Sequence, residues 1–312
     1  VPSFAPPKFP VSTIDNDGTH AGRYDVRKTM VWLDEENHNN LNSYFFLFWL
    51  TTMDGRKYHV TLAPNFFRGR TTGIFRNLTS PRGSDNYTDL NISTNYAGVQ
   101  LNVHITPTGK NLYIGGGGGI TLSSDDNDFR RIIPGYSWYW GNPALRLNGT
   151  ITIHGEEIAI DHNHPRGYFE RQWGEFGISG GHYGYWLYLS NGLMIHGWVV
   201  GPTMEQPFGV PAWATVWHPN GVHEVVEVGK NTTAFDVWKS ESSGLDYFQQ
   251  VELDIPSRQA RFNIHQLIRE SELRPLPGTD GYNISEAYAQ GQGVWEGESV
   301  TFVGHLEQLS FW

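Results

Sequence analysis

YFFLFWLTTMDGRKYHVTL, residues 44–62, decides the fold class. Its first seven residues, Tyr44 to Leu50, are the longest apolar run in the chain. That run is far shorter than a membrane span and rich in the aromatic residues that fill a buried strand. Asp54-Gly55 interrupts it, and Lys57–Leu62 resumes an alternating pattern, which predicts a hairpin closed by a type I′ turn. The same grammar recurs downstream. Tyr185–Leu189 closes on Asn191-Gly192 before Leu193–Val200, and Trp213–Trp217 closes on Asn220-Gly221 before Val222–Val228. Within Arg258–Glu272, Phe262, Ile264, Gln266 and Ile268 alternate with Arg261, Asn263, His265 and Arg269, so this stretch reads as strand and not helix. No long amphipathic helix is convincing anywhere, and the chain is expected to be all-β.

Composition narrows the function. The 312 residues are enough for one large or two moderate β domains with a substantial core. Cysteine is absent, which excludes disulfides, thiolate metal sites and a cysteine nucleophile. A formal net charge of −10 opposes phosphate binding, so nucleic acid is not an expected partner. With 17% charged and 14% aromatic residues, disorder is not expected either. The chain begins Val1-Pro2-Ser3, as a mature end left by signal-peptide removal would. Sequons begin at Asn77, Asn86, Asn91, Asn148, Asn231 and Asn283, more than the Asn, Ser and Thr content alone gives. Together these point to a secreted glycoprotein.

The opening segment to about Pro10 is Pro-rich and reads as extended surface chain; residues 80–95 read as an exposed loop. The run Gly177-Ile178-Ser179-Gly180-Gly181 is a junction between two strand-rich halves, 1–178 and 179–312, each with about eight short strands. No internal sequence repeat is evident.

Familiar catalytic motifs fail one by one. Gly115–Gly119 has no Lys-Ser/Thr after it; it is a hairpin tip or a flap over a cavity mouth. Asp161-His162-Asn163-His164 is similar to a His-Asn-His nuclease core but lacks its companions; two histidines two apart on a strand suit a metal, yet no third ligand can be named, and no metal is expected. There is no Gly-x-Ser-x-Gly elbow, and Gly291-Gln292-Gly293 has no helix after it. The most informative segment is Gly167-Tyr168-Phe169-Glu170-Arg171-Gln172-Trp173-Gly174. As a strand, it places Tyr168, Glu170 and Gln172 on one face and Phe169, Arg171 and Trp173 on the other. The first face is either a cavity wall, where a buried carboxyl finds partners, or an outward polar surface with Phe169 and Trp173 in the core. Glu296, in the glycine-flanked stretch Gly291–Gly297, is a second carboxyl of the same kind or an ordinary surface residue. Trp138, Trp140, Trp186, Trp198 and Trp213 supply indoles for a core or an apolar pocket.

Leu147–Ile153, Gly167–Gly174 and Gly291–Gly297 are together similar to motifs of the lipocalin-like hydroxyneurosporene synthase superfamily, which includes carotenoid hydratases, kievitone hydratase and the fungal Diels-Alderases and hetero-Diels-Alderases. The family pattern of aromatic, acid, basic residue or His, amide, Trp and Gly is filled here by Tyr168, Glu170, Arg171, Gln172, Trp173 and Gly174. The resemblance spans both halves of the chain, though only these motifs are specific. It implies two calycin-type antiparallel β-barrel or β-sandwich domains, with a ligand cavity near their interface. It also implies chemistry on a hydrophobic polyene or isoprenoid, which gains or loses water or is folded for cycloaddition. The leading expectation is a secreted fungal hetero-Diels-Alderase that dehydrates a hydroxymethyl-tropolone to a quinone methide and adds it to a terpenoid. A hydratase or dehydratase of a prenylated substrate is the alternative.

In either case no cofactor is expected. Glu170 is the expected acid or base, because desolvation would raise its pKa, with Arg171 opposing that if the two side chains approach. Tyr168 and Gln172 would orient a carbonyl or hydroxyl, Glu296 would be a weaker second acid, and Trp173 and Trp140 would form walls. The rivals are a lipocalin-like carrier with no chemistry and a glycan-binding or glycan-cleaving protein, the latter needing two carboxylates at a defined separation. Substrate identity and oligomeric state are not written in the sequence.

Overall fold

In the computed structural model, the described residues are 41–65, 70–77, 90–91, 99–107, 113–114, 135–143, 145–153, 155–164, 166–176, 181–200, 212–219, 223–269, 271–274 and 283–309. The Pro-rich opening, Gly115–Gly119, Asn86, Asn220-Gly221 and the junction at 177–180 lie outside them. The expected all-β class holds: among the described residues there are twenty strands, one 3-10 turn at Pro256–Arg258 and no α-helix. By Cα proximity the chain divides into two compact units. One is Arg23–Tyr113 with Trp140–Trp173, here the N-terminal unit. The other is Val1–Gly22, Ile114–Tyr139 and Gly174–Trp312, here the C-terminal unit.

Ten strands precede the junction: β1 (Leu41–Thr51), β2 (Lys57–Asn65), β3 (Arg70–Asn77), β4 (Leu90–Asn91), β5 (Val99–Pro107), β6 (Tyr113–Ile114), β7 (Gly135–Asn142), β8 (Leu145–Ile153), β9 (Glu156–Ala159) and β10 (Gly167–Phe176). They form a seven-stranded sheet in the order β4-β3-β2-β1-β10-β7-β6 and a three-stranded sheet β5-β8-β9. The short β4 falls inside the segment expected to be loop. The smaller sheet is tied to the β1–β2 hairpin by a bridge between Thr52 and Ile160 and by the Met53 N–H, which donates to the Ala159 carbonyl (2.9 Å).

Ten strands follow it: β11 (His182–Leu189), β12 (Met194–Val200), β13 (Ala212–Trp217), β14 (His223–Val228), β15 (Thr233–Lys239), β16 (Asp246–Ile255), β17 (Ala260–Gln266), β18 (Glu272–Leu273), β19 (Ile284–Trp295) and β20 (Glu298–Leu309). Their order is β14-β13-β12-β11-β20-β19-β17-β16-β15, with β18 on β19. Every neighbour is antiparallel, so the chain meanders out, returns, and closes first strand on last through β11–β20. The chain just past β14 bonds to the end of β16, and the 3-10 turn that follows β16 reaches back to β14. There the Gly229 N–H donates to the Asp254 carbonyl (2.7 Å), the Asp254 N–H donates to the Thr232 hydroxyl (3.0 Å), and Arg258 pairs with Glu224. The sheet is a curled half-barrel. Its core comes from one residue in two along each strand, for example Tyr183, Tyr185 and Leu187, then Ile195 and Val199, then Phe262 and Ile264. That period-2 selection is the one expected for residues 258–272.

The hairpin turns differ from expectation. At Asp54-Gly55 and Asn191-Gly192 only the glycines have positive φ (86° and 89°). Gly192 N–H donates to Leu189 C=O (3.0 Å) and Leu189 N–H to Leu193 C=O (2.9 Å), with Gly55, Thr52 and Arg56 bonded in the same way. The loops therefore hold three residues, Met53-Asp54-Gly55 and Ser190-Asn191-Gly192, with a left-handed glycine supplying the twist that a two-residue type I′ turn would give. The type I′ geometry occurs instead at Glu296-Gly297 (φ 52° and 87°), between the paired residues Trp295 and Glu298.

The structure also reveals a repeat that the sequence conceals. The first sheet runs β4-β3-β2-β1-β10 where the second runs β14-β13-β12-β11-β20. Each opens with a hairpin in which Trp49 or Trp186 is followed by Leu, the turn glycine is Gly55 or Gly192, and His59 or His196 lies directly opposite the tryptophan. The registers coincide pair for pair: Phe46–Leu62 matches Tyr183–Val199, and Leu50–Tyr58 matches Leu187–Ile195. Where one copy opposes Leu47 to Thr61, the other opposes Gly184 to Trp198. Size is exchanged across the strand pair, as close packing requires of equivalent positions.

Candidate functional site

In the N-terminal unit, the Trp49 N–H donates to the Arg166 carbonyl (2.9 Å) just ahead of β10. Continuing that antiparallel register sets Phe46 opposite Phe169, and their rings stack at 4.6 Å and 11°. Phe169 therefore shares the face of Phe46 and Phe48, which matches the core face of the second copy. Tyr168 and Glu170 project from the opposite face, with Leu47 and Trp49 of β1 and His59 and Thr61 of β2. This face is not solvated: Tyr168 is 0% exposed, Glu170 6% and His59 0%. Both faces of β10 are thus buried over residues 168–170. A carboxyl, a phenol, an imidazole and an indole sit on one interior surface, a set able to hydrogen-bond and exchange protons with an apolar molecule. The side chains of Arg171, Gln172 and Trp173, and of Trp138 and Trp140 on β7 and Trp213 on β13, lie outside what the structure describes.

The C-terminal unit has an equivalent surface on the side of its sheet away from the apolar core. Directly opposed residues form one row across five strands: Thr215, His196, Trp186, His305 and Tyr288. All are at least 94% buried. His196 stacks on Trp186 (4.4 Å, 21°) and meets Trp198 edge-on (4.5 Å). Its Nδ1 lies 3.0 Å from the Tyr185 carbonyl, which can only accept, so Nδ1 carries a proton. Burial holds its pKa down at about 3. On the other side of Trp186, His305 sits at 5.2 Å and binds Glu286 (Nε2 to Oε2, 2.7 Å). Trp186 and Trp198, expected among core or pocket aromatics, are thus brought together. The polar members of the row were not among the sequence candidates. Their only signal was parity: His196 alternates in step with Trp198, and His305 with Glu307.

Glu296 is elsewhere. It occupies the tip of the β19–β20 turn, not the strand expected for it; it is exposed and paired with Arg258 (3.2 Å). Asp161–His164 form a turn, not a strand. The Asp161 carboxylate accepts from the Asn163 N–H (2.9 Å) and pairs with the exposed His164 (2.7 Å), which lowers the Asp161 pKa. Among the described residues no group of three or more His, Asp or Glu side chains could hold a metal. Of the sequons, Asn231 is exposed and Asn283 half-buried, while Asn77, Asn91 and Asn148 lie in β3, β4 and β8.

No family model matches the chain. The curated dehydratase asqC of Emericella nidulans is 24% identical over 180 residues, 57% of this chain; the match spans about half (49%) of that protein. The crystal structure of kievitone hydratase from Nectria haematococca superposes with a TM-score of 0.65 over 96% of both chains, at 16% identity. An AttH-type protein from Nitrosomonas europaea superposes with a TM-score of 0.62 over 97% of this chain and 100% of that one, at 14% identity. The lipocalin-like resemblance therefore holds at the level of the fold: this chain has the all-β architecture of kievitone hydratase and a sequence similar to that of a dehydratase.

Proposed function

We propose that the protein is a lyase that removes water from, or adds it to, a hydrophobic small molecule. The observation that carries this reading is the buried carboxyl of Glu170 beside Tyr168 on an aromatic inner surface, in a chain similar to a dehydratase. Elimination of water needs a proton donor at the leaving hydroxyl and an acceptor at the neighbouring carbon, and no cofactor. Glu170 gives its proton to the leaving hydroxyl, Tyr168 orients that oxygen, and the carboxylate that results takes the proton from the neighbouring carbon as the C=C bond forms, so Glu170 ends protonated as it began. Aromatic walls hold the apolar skeleton and exclude bulk water. The finer reading is that the dehydrated product is a quinone methide of tropolone type, captured by a polyene in a hetero-Diels-Alder step in the secretory pathway. It uses the same dehydrating groups, and the exposed sequon at Asn231 suits secretion.

The test is direct. The protein is incubated with apolar metabolites extracted from its host, and products are screened for a change by the mass of one water. Glu170→Gln should lower the rate at least about tenfold. Unchanged turnover in a folded Glu170→Gln protein removes Glu170 from the reaction, and no water-mass change with the wild type removes the lyase reading.

A further inference from the structure

β15 ends the C-terminal sheet: β16 pairs with one of its edges, and no strand among the described residues pairs with the other. An open edge presents backbone N–H and C=O groups that a strand from another molecule can pair with. Near its ends β15 is sealed, with Ala234 and Trp238 both 4% exposed. Its middle is not. Phe235 is 39% exposed, Val237 41%, and Asp236 between them is exposed as well. The ladder to β16 breaks at the same place. It runs Thr233–Glu252, Ala234–Val251 and Phe235–Gln250, omits Asp236 and Gln249, and resumes in the same register at Val237–Phe248. No residue has been inserted; Asp236 has instead turned into the left-handed region, at φ 59°. Aspartate is one of the few residues with a side chain that enters that region, because its carboxylate bonds locally. Here its Oδ2 accepts from Gln250 Nε2 (3.2 Å). In a regular strand residue 236 would share the face of Ala234 and Trp238. A strand-forming apolar residue there would complete both the ladder and the core, so the pairing of β15 with β16 does not call for an aspartate.

The open edge supplies a reason for it. When β15 of a second copy approaches antiparallel, full overlap of the two seven-residue strands is centred on Asp236. Phe235 then faces Val237 of the second copy, and Val237 faces its Phe235. These two apolar pairs favour association, and the exposed edge is self-complementary but for its central residue. There the two Asp236 carboxylates meet, and like charges directly opposite each other oppose pairing. The left-handed turn adds to this by taking the peptide groups of Asp236 out of the row that an incoming strand must match. Lys239, the other charged residue of β15, is held within its own chain by Asp246 (2.8 Å) and the Gly244 carbonyl (3.0 Å). We propose that Asp236 guards the edge of β15 and keeps it from pairing with β15 of a second copy, by charge and by backbone shape together.

The experiment uses the full chain. Self-association is followed by sedimentation velocity over a wide range of concentration, and amide hydrogen exchange is read over residues 233–239. In the wild type, exchange of that segment should not depend on concentration; protection that grows with concentration would show the edge already paired and overturn the proposal. Asp236→Val should self-associate at least about tenfold more tightly than the wild type, with protection appearing in residues 233–239. Adding Phe235→Lys to that variant should return it to wild-type behaviour; association that persists uses another surface, and the proposal falls. A folded Asp236→Val protein that sediments as the wild type does and is less stable would mean that the turn serves the fold, and overturns the guard. If Asp236→Val does not fold, Asp236→Asn decides, because it keeps a residue that tolerates the left-handed turn and removes only the charge. It should associate more than the wild type at low salt, and equal association overturns the proposal.

Discussion

If the two hairpins are equivalent, their exchanged side chains can be exchanged back. Gly184 lies directly across from Trp198, and a Cβ built there would stand 2.5 Å from Trp198 Cδ1, 2.6 Å from its Nε1 and 3.1 Å from Trp186 Cζ3. Those atoms belong to two indoles that are 0% and 3% exposed, so both rings are enclosed by their neighbours. Gly184→Ala should therefore cost about 1–3 kcal/mol by overpacking. Trp198→Thr removes most of a side chain that is 3% exposed and should cost about 3–5 kcal/mol. The double variant moves toward the Leu47–Thr61 arrangement: the new methyl enters the space the indole leaves. It should recover about 1–3 kcal/mol relative to the two single losses taken together. The assay is urea unfolding followed by far-UV circular dichroism, since removing an indole spoils the fluorescence signal, with m compared across the set to confirm a common transition. A third step, Gly184→Leu with Trp198→Thr, completes the transplant and should be no less stable than the alanine version. Losses that add to within about 0.5 kcal/mol would mean that the two sites do not share one packing volume, and the argument from duplication would fail.

Three shorter predictions follow from the same surfaces. The Tyr185 hydroxyl is fully buried without a hydrogen-bond partner among the described residues, and its counterpart in the first copy is Phe48; Tyr185→Phe should be neutral or stabilise by about 1 kcal/mol, and a loss above that in chemical denaturation would reveal a hidden partner. His196 is held neutral with a folded pKa of about 3, below its unfolded value of about 6.5, so the unfolded chain binds the extra proton. Its contribution is complete above the unfolded value and should fall by about 1.4 kcal/mol per pH unit between there and pH ~3; wild type and His196→Gln should converge on acidification, and parallel stability curves would contradict this. Asn231 is exposed in the turn between β14 and β15, so native protein should carry an N-glycan there by mass spectrometry, and a bare Asn231 would count against passage through the secretory pathway.

The strands were legible because alternation and turn residues are local. The β1–β2 and β11–β12 hairpins and β17 lie where the period-2 pattern put them. The turn type was not legible, because Asp-Gly and Asn-Gly serve a two-residue and a three-residue loop alike. Only the register, Leu189 bonded to Leu193, distinguishes them. Glu296-Gly297 escaped notice for the opposite reason: glutamate is not a turn-forming residue, and its left-handed φ is imposed by the β19–β20 pairing around it. Alternation also set Tyr168 and Glu170 on one face. It could not say whether that face was dry, because with Phe169 on the other side both are. The row Thr215–His196–Trp186–His305–Tyr288 was beyond reach altogether. It depends on β20 pairing with β11 from the far end of the unit, and no local pattern encodes that partnership.

The two sides of the C-terminal sheet divide the labour of the molecule. The inner side is filled with Tyr, Leu, Ile, Val and Phe, and full burial of each large side chain is worth about 1.5–3 kcal/mol. A core so filled has what it needs to fold. The other side spends burial on residues that return little stability: neutral His196, a His305–Glu286 pair, and a Thr215 hydroxyl without a partner among the described residues. Each of these departs from the apolar pattern and lies on one row or beside it, while Gln266 and Gln308 break the pattern on the inner side and are hydrogen-bonded to each other and to the Ile268 and Phe248 backbone. In the N-terminal copy the corresponding side carries His59, Tyr168 and Glu170. The same division therefore arises twice from one hairpin design, with different polar residues placed beside the shared Trp–His pair.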